Sequence, residues 1–511
     1  MTATLGRRRA SVFIVSIFVA GLCSLVYELL IGTTSAYFLG DSIKQFSLTI
    51  GLYMAAMGIG SFFSRLIKGA TMSWFVGVEL ALGVIGGLSV PILYLAYAYT
   101  SLYEVIVTLL LVAVGVLTGL EIPLIARALK DHFTLEVNLS NVLSLDYLGA
   151  LAATLLFPFV LLPELGTFRS ALAVGLLNLL VAFLVVRAFP ERLSPRSRGR
   201  YQSALILSGV GLIAGLIFAE SLLKPWHDAL YEDRVALVRQ TPYQKIVVTR
   251  SRDDTRLFLN GHLQFSAADE YRYHEALVHP VMSAVERPRR VLMLGGGDGL
   301  AAREVLKHDA VASLILVDLD PAITELASEH PLFRGLNKHS LDDPRVEVRN
   351  EDAFAFLDQT EHEFDVVIAD LPDPNNASLA RLYSREFYRL LSKRIAKGGA
   401  LVTQATSPYF AKEAFWCVTE TVAAAGMSVA PYHVQVPSFG GDWGFVLAAP
   451  KPRQISPLDI SVTVPTRFLE DEMIPHLFYF PPDVRSDDIR HSTLDQPQVL
   501  SYYLQGWKRW N

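Results

Sequence analysis

Cysteine is nearly missing from this chain: its 511 residues include two, Cys23 and Cys417. Two thiols so far apart and in such different contexts build neither a disulfide framework nor a cysteine metal site, and no metal centre is expected. Charge is scarce as well. Asp, Glu, Lys and Arg make up 19% of the residues while 51% are hydrophobic, where an ordinary soluble chain carries about 25% charge. A disordered chain is excluded by that balance. A basic surplus is missing where a nucleic-acid binder needs one. Residues 1–220 hold 14 Lys/Arg and 11 Asp/Glu, a net of +3, and residues 221–511 hold 31 and 39, a net of −8. The polar half is acidic and repels phosphate, so no nucleic-acid partner is expected. Internal repeats and low-complexity tracts are lacking too.

Long apolar runs, by contrast, fill the first 220 residues. They fall at about 11–32, 45–63, 72–99, 103–127, 140–163, 168–187 and 202–220, each near the roughly 20 residues that cross a bilayer's hydrocarbon core. Arg7, Arg8 and Arg9 precede the first run, but its length and the runs behind it favour a retained span over a signal peptide. Residues 1–220 therefore read as a multi-pass α-helical bundle of about seven spans whose partner is the lipid bilayer. Gly115/Gly119 and Gly211/Gly215 stand at the spacing of close helix contacts. Glu28, Glu79, Glu121 and Asp146 sit within or at the ends of the spans. A carboxylate in hydrocarbon is costly, so each is a functional candidate; the plainer expectation places them near interfaces or at helix caps. With the amino terminus inside, twelve basic residues fall on inner loops: Arg7, Arg8, Arg9, Arg65, Lys68, Arg127, Lys130, Arg187, Arg192, Arg196, Arg198 and Arg200. Only Lys44 and Arg169 fall outside.

Residues 221–235 read as a polar linker, and the rest as an α/β domain. Residues 244–249 and 256–265 are strand-like, and Asn260-Gly261 is the pair that a tight hairpin turn favours. A helix is predicted over 268–285. After it strand, loop and helix alternate: Val291–Leu294 enters Gly295-Gly296-Gly297-Asp298-Gly299, Ser313–Val317 ends at Asp318, Val346–Val348 runs toward Asp352, and Phe364–Ala369 ends at Asp370. Further strands are predicted at Ala400–Thr403 and Trp443–Ala448. Acids at the carboxyl ends of alternating strands indicate a doubly wound sheet with its site along that edge. The chain thus divides into 1–220, a segment 221–285 of linker, hairpin and helix, and a Rossmann-like domain 286–511.

A glycine run alone is only a tight turn. Asp318, about 20 residues on at the next strand end, adds an acceptor for ribose hydroxyls, and Asp352 adds one for an adenine amino group. The pair reads as an adenosine site that NAD or an S-adenosylmethionine-type ligand would satisfy. Asp298, Asp370 and Asp373 then favour the second. Three acids at one crevice repel a pyrophosphate and attract a sulfonium and an amine.

These stretches occur in the order seen in one family. Tyr243-Gln244, residues 257–280 with Tyr273-His274-Glu275, residues 291–308 with the glycine run, 317–321, 351–354 and 365–374 together resemble the spermidine synthase (polyamine aminopropyltransferase) family, in the branch whose helical leader attaches it to the membrane. The resemblance covers roughly 240–450. It implies an S-adenosylmethionine methyltransferase-like Rossmann domain, decarboxylated S-adenosylmethionine as co-substrate, no prosthetic group, and putrescine as acceptor. It further implies that Gln244, His274, Gly295, Gly297, Asp298, Asp318, Asp352 and Ala353 bind the donor, that Asp370 is the catalytic acid, and that Tyr273, Asp373 and the Phe439 position serve the acceptor. Departures fall mostly on the acceptor side. Leu371-Pro372 replaces a usual serine pair, Asn375-Asn376 a usual Gly-Pro, and Phe439 stands where a tyrosine hydroxyl is common; Asp318 and Ala353 replace a usual glutamate and glycine.

A positioned carboxylate that takes the proton of an attacking amine is the chemistry these residues support, with Asp370 as the base. Two other readings stay open: an S-adenosylmethionine methyltransferase, and a membrane polyamine transporter or sensor whose enzyme-like domain only binds. Assembly as a homodimer or larger homo-oligomer is left open too. The catalytic domain is expected on the cytoplasmic side of the cell membrane, because the donor is an intracellular metabolite; seven crossings from an inner amino terminus would put it outside, so the short run 202–220 is then the one that does not cross.

Overall fold

A computed structural model describes residues 7–39, 42–129, 135–231, 233–252 and 254–510; Lys130, one of the basic loop residues named above, lies outside them. The chain forms two compact units, Met1–Gln244 and Lys245–Asn511.

The first unit is helical: α1 (Arg7–Leu39), α2 (Ser42–Phe63), α3 (Thr71–Gly87), α4 (Ser89–Tyr99), α5 (Tyr103–Leu129), α6 (Leu135–Leu156), α7 (Gly166–Ala188), α8 (Pro195–Ile217) and α9 (Ala219–Leu230). Among the described residues, six apolar helical stretches are long enough to cross a membrane by length and composition. Two of the expected runs, 140–163 and 168–187, fall within one of these, the 49-residue stretch Ser140–Ala188. It is about twice what a crossing needs, and its helix breaks at Gly166, where φ is +67°. Helix α1 packs against α6 and α7, and α2 against α5. Gly119 shows why the α2–α5 contact needs glycine: a Cβ there would lie 2.0 Å from the Met57 carbonyl oxygen. Gly115 lies in the same contact, whereas a Cβ on Gly211 would meet nothing within 4 Å. The first glycine pair is a close-packing motif; Gly211 is not part of one.

Glu79 and Glu121 are buried between helices, and neither caps a helix end. Asn178 Nδ2 donates to Glu79 Oε2 at 2.7 Å, and the Tyr27 hydroxyl donates to Asn178 Oδ1 at 2.7 Å. Glu79 Oε1 and Glu121 Oε1 are buried without a hydrogen-bond partner among the described residues. Glu28 and Asp146 are half-buried. The stretch expected as a linker is instead α9 followed by strand β1 (Arg234–Gln240). Leu222, Leu223, Trp226 and Leu230 recur at helical spacing there, a signal masked by the charged residues between them.

The second unit opens with antiparallel strands β2 (Lys245–Ser251), β3 (Asp254–Leu259) and β4 (His262–Ser266). Asn260 and Gly261 turn the β3–β4 hairpin at φ +50° and +85°, as a primed two-residue turn requires. Helix α10 (Glu270–Ser283) follows, then β5 (Arg290–Gly295), the short helix α11 (Leu300–Val305), β6 (Ser313–Val317), β7 (Val346–Arg349), β8 (Phe364–Asp370), β9 (Ile395–Gln404), β10 (Met427–Val436) and β11 (Gly441–Pro450). The seven-stranded sheet runs β10-β11-β9-β8-β5-β6-β7. Its five strands from β9 to β7 are parallel, and β10 and β11 pair antiparallel at one edge. Alternate residues of β5 enter opposite cores: Leu292 and Leu294 one, Val291 and Met293 the other. That two-sided burial is the cause of its unbroken apolar run. Strand β5 is flanked by β6 on one side and β8 on the other, so the order reverses there and opens the crevice in which such sheets bind ligands.

Candidate active site

Strands β5 and β8 end side by side, with Gly295 paired to Asp370. The glycine loop leaves β5 so close to β8 that a Cβ on Gly295 would lie 2.0 Å from the Asp370 carbonyl oxygen. Its φ is +81°, so geometry and space both demand glycine. The next turn carries the loop to Asp318: the Gly297 amide donates to Asp318 Oδ2 at 3.0 Å, and the Asp320 amide to Oδ1 at 3.0 Å. Burial pushes the Asp318 carboxyl up to about 6, against those two N–H donors. Asp298 accepts from the Leu300 amide at 2.9 Å; burial raises it to about 6, opposed by the charge of His274.

Helix α10 supplies the facing wall, and its motif residues take three different tasks. The Tyr273 hydroxyl donates to Asp370 Oδ1 at 2.6 Å. Burial raises the Asp370 carboxyl, while His274 and the Tyr273 bond hold it down. His274 Nδ1 lies 2.7 Å from Glu270 Oε2. Burial disfavours the imidazolium, but Glu270, with Asp298 and Asp370 beyond it, lifts His274 to about 9. His274 is therefore a fixed cation among acids at neutral pH. Glu275 faces away from the crevice and accepts the backbone amides of Arg467, Phe468 and Leu469 at 2.7, 2.9 and 3.0 Å.

Asp373 lies past the end of β8, where Gln404 Nε2 donates to it at 3.2 Å and Thr406 Oγ1 at 3.4 Å. The nearby Tyr503 hydroxyl also favours the ionised carboxylate. Burial raises Asp373 to about 6 against these bonds. Thr406 sits at φ +60°, an uncommon backbone for a β-branched residue and one that clusters at functional sites. Phe439, in the turn Pro437–Phe439, stands with its ring centroid 5.7 Å from that of Tyr273 and 4.6 Å from that of Trp443. It presents a ring and no donor.

Gly295, Gly297, Asp298, Asp318, Asp370, Asp373, Tyr273, His274 and Phe439 are thus brought to one edge of the sheet. Asp352 and Ala353 reach the neighbouring strand end, but the Asp352 carboxylate is occupied. Its Oδ1 caps the helix Ala353–Gln359 through the amides of Phe354 and Ala355, and its Oδ2 pairs with Arg381. Gln244 lies in the turn that ends the first unit, where its carbonyl accepts from the Thr241 amide at 2.9 Å. No group of His, Cys, Asp and Glu that could hold a metal occurs among the described residues.

Sequence reasoning missed Glu270, Arg303, Gln404 and Tyr503. Glu270 was within reach, because it precedes His274 by one helical turn. Arg303 donates to both oxygens of Glu270 at 2.9 Å, and with it fixes the orientation of His274. Gln404 ends β9 as Asp370 ends β8, so its strand-end position was a signal. Tyr503 lies beyond every motif and had none.

Residues 270–456 match the family described as spermine/spermidine synthase domain. A polyamine aminopropyltransferase of Leptospira interrogans is 43% identical over 498 residues, 97% of this chain and 98% of that one. Polyamine aminopropyltransferase 2 of Ralstonia nicotianae is 44% identical over 505 residues, 98% and 99% of the two chains. The enzyme of that name from Mycobacterium tuberculosis is 40% identical over 515 residues, 98% and 97%. A solved spermidine synthase from Thermotoga maritima is 26% identical, covers 48% of this chain and 85% of its own, and superimposes with a TM-score of 0.45; the fold assignment stands on the strand order, not on that superposition. Because the identity runs through the helical unit as well as the sheet, the whole chain, and not only its catalytic half, belongs to the polyamine aminopropyltransferase family.

Proposed function

We propose that this enzyme transfers the aminopropyl group of decarboxylated S-adenosylmethionine to putrescine, releasing spermidine and methylthioadenosine. The single observation that carries the reading is Asp370, at a strand end on the switch-point crevice, with Tyr273 bonded to one carboxylate oxygen and the glycine loop against its backbone.

The acceptor reaches the site as an ammonium, which has no lone pair. Asp370 takes one proton from it, and the freed nitrogen attacks the donor's methylene beside the sulfonium. The new C–N bond forms as the C–S bond breaks, and its electron pair stays on sulfur, which leaves as the neutral thioether. Burial raises the proton affinity of Asp370 and so suits it to that step. Asp318 would hold the ribose hydroxyls. Asp298 and His274 would hold the donor's aminopropyl and sulfonium region. Asp298 attracts the donor's ammonium and disfavours a donor that still carries a carboxylate. Adenine's amino group would take the Asp352 oxygen now paired with Arg381, beside Ala353. Asp373 would hold the far ammonium of the diamine, with Phe439 packed along its chain. Two reactants fixed in one crevice supply much of the acceleration.

The apolar stretches of the first unit would cross the cell membrane, with lipid covering outward side chains such as Met54, Leu109 and Leu151. We place the catalytic unit on the cytoplasmic side, where its donor is made, with the stretch within Pro195–Ile217 lying along the surface. A reporter fused after Asn511 tests this: fluorescence is expected, and alkaline phosphatase activity would overturn it. The reaction is tested by incubating the detergent-purified full chain with decarboxylated S-adenosylmethionine and a panel of amines. Methylthioadenosine release with putrescine is the expected result. Methyl transfer from intact S-adenosylmethionine would support a methyltransferase, and amine uptake into vesicles without product would support a transporter.

A further inference from the structure

Gly299 closes the glycine run at φ +80°, and a Cβ there would lie 2.8 Å from Ser340 Oγ and 3.0 Å from Asn337 Nδ2. Those two atoms belong to none of the stretches that carry the family resemblance; they lie in the connection between β6 and β7. Asn337 ends the helix Pro331–Asn337, and Ser340 opens the turn Ser340–Asp342. Asn337 is fully buried. Its Nδ2 donates to the Asp298 carbonyl at 3.0 Å and, at 3.0 Å, to the Ala327 carbonyl in the helix Pro321–Glu329. Both N–H bonds of the amide are thereby used, and its Oδ1 accepts from the His339 amide at 3.0 Å. The Ser340 hydroxyl donates to the Gly299 carbonyl at 2.7 Å. Between the two, Lys338 and His339 stand at φ +52° and +60°, a backbone that residues other than glycine seldom adopt. Strain of that kind persists only where the surroundings fix it, and it gathers at functional sites. Here it turns two nearby side chains onto two successive carbonyls of the loop.

We infer that Asn337 is a positioning residue for the donor: with Ser340 it holds the backbone of Asp298 and Gly299, so that the Asp298 carboxylate points at the ammonium of the aminopropyl group. The inference rests on the aminopropyl-transfer reading and on Asp298 as that ammonium's partner. The start of the loop has supports of its own, the β8 backbone against Gly295 and Asp318 on the Gly297 amide. The brace therefore acts on the end of the loop that serves the aminopropyl group, and the adenosine part is held without it.

Asn337→Leu keeps the approximate shape and deletes the bonds to both carbonyls. In the detergent-purified full chain, affinity for decarboxylated S-adenosylmethionine by titration calorimetry should fall about 10- to 100-fold, the scale of leaving a buried carbonyl unpaired. Methylthioadenosine has no aminopropyl group, so its affinity should stay within about twofold, as should the KM for putrescine at saturating donor. Ser340→Ala frees only the Gly299 carbonyl and leaves Asn337 with its bonds. Its loss of donor affinity should be smaller, about 3- to 10-fold, again with methylthioadenosine spared, and it decides the matter alone if Asn337→Leu does not fold. Equal losses for donor and methylthioadenosine, or no loss for the donor in any folded variant, would overturn the role of Asn337 and leave the reaction standing. A wild-type chain that binds no decarboxylated donor and releases no methylthioadenosine with any amine would overturn the reaction and this role together.

Discussion

Both units bury carboxylates, and they treat them in opposite ways. In the helical unit, Glu79 sits behind Asn178, itself held by Tyr27, and both Glu79 and Glu121 are enclosed between helices. In the sheet unit, Asp298, Asp318, Asp370 and Asp373 stand half-buried along an open edge, each with donors on one side. An enclosed acid has only its own helices to face, and here one oxygen of each stays without a hydrogen-bond partner among the described residues. An acid at a strand end keeps capacity for a ligand, which is why the sheet's carboxyl edge is where chemistry gathers. The lesson is that burial alone does not mark a site; burial with one side left open does.

The sharpest way to break this comparison is Asp370→Asn, which preserves shape and removes the proton acceptor. Turnover should fall by about 100- to 10,000-fold while calorimetry still detects donor binding, and retained turnover would remove Asp370 from the reaction. Next is Asp298→Asn, which takes the charge from the donor's ammonium. Preference for the decarboxylated over the intact donor should shrink by about 10-fold or more, measured as the ratio of the two dissociation constants; an unchanged ratio would sink that selectivity.

Glu270→Gln tests the cation among the acids. In the parent protein His274 is raised to about 9 and Glu270 is lowered to about 2. The stability of the pair is therefore fully present between the free glutamate and free histidine values, about 4.3 and about 6.5. It is lost as pH rises from the free histidine value, about 6.5, through about 9, and separately as pH falls from about 4 through about 2. The variant should bring the deprotonation of His274 down from about 9 toward the free histidine value, about 6.5, read from the imidazole NMR signals at several pH values. A profile identical to the parent's would mean that Glu270 does not set the charge of His274.

The smallest effects concern the helical unit. Gly119→Ala forces a Cβ against the Met57 carbonyl and should lower the melting temperature in detergent by several degrees, about 1–3 kcal/mol of overpacking. Gly211→Ala enters open space and should change it by less than about 1 °C. Equal shifts would mean that the α2–α5 contact does not limit stability.

Much of the catalytic sheet was legible before any coordinates. Asn260-Gly261, the glycine run and the acids closing β6 and β8 are local signals, each bound to one backbone geometry. The helix α9 was hidden because Lys224, His227 and Asp228 interrupt its apolar stripe. Glu79 and Glu121 could be seen as apolar-run acids, but their partner Asn178 lies about 99 residues from Glu79, and no pattern in a single chain announces such a pair. The Asp352 carboxylate was rightly read as a strand-end acid; its bond to Arg381 was invisible, because Arg381 belongs to another turn.

Composition and motif order alone determined that this chain has an apolar helical half and a doubly wound sheet with acids at its carboxyl edge. They could do so because hydrophobic period, glycine geometry and strand-end position are written in neighbouring residues. Only the tertiary structure decided what each acid touches. His274 owes its charge to Glu270, itself held by Arg303, and Asp373 owes its direction to Gln404 and Thr406. Electrostatics and hydrogen bonds act through space over a few ångströms, between residues as far apart in the chain as Glu270 and Arg303 or Asp373 and Gln404.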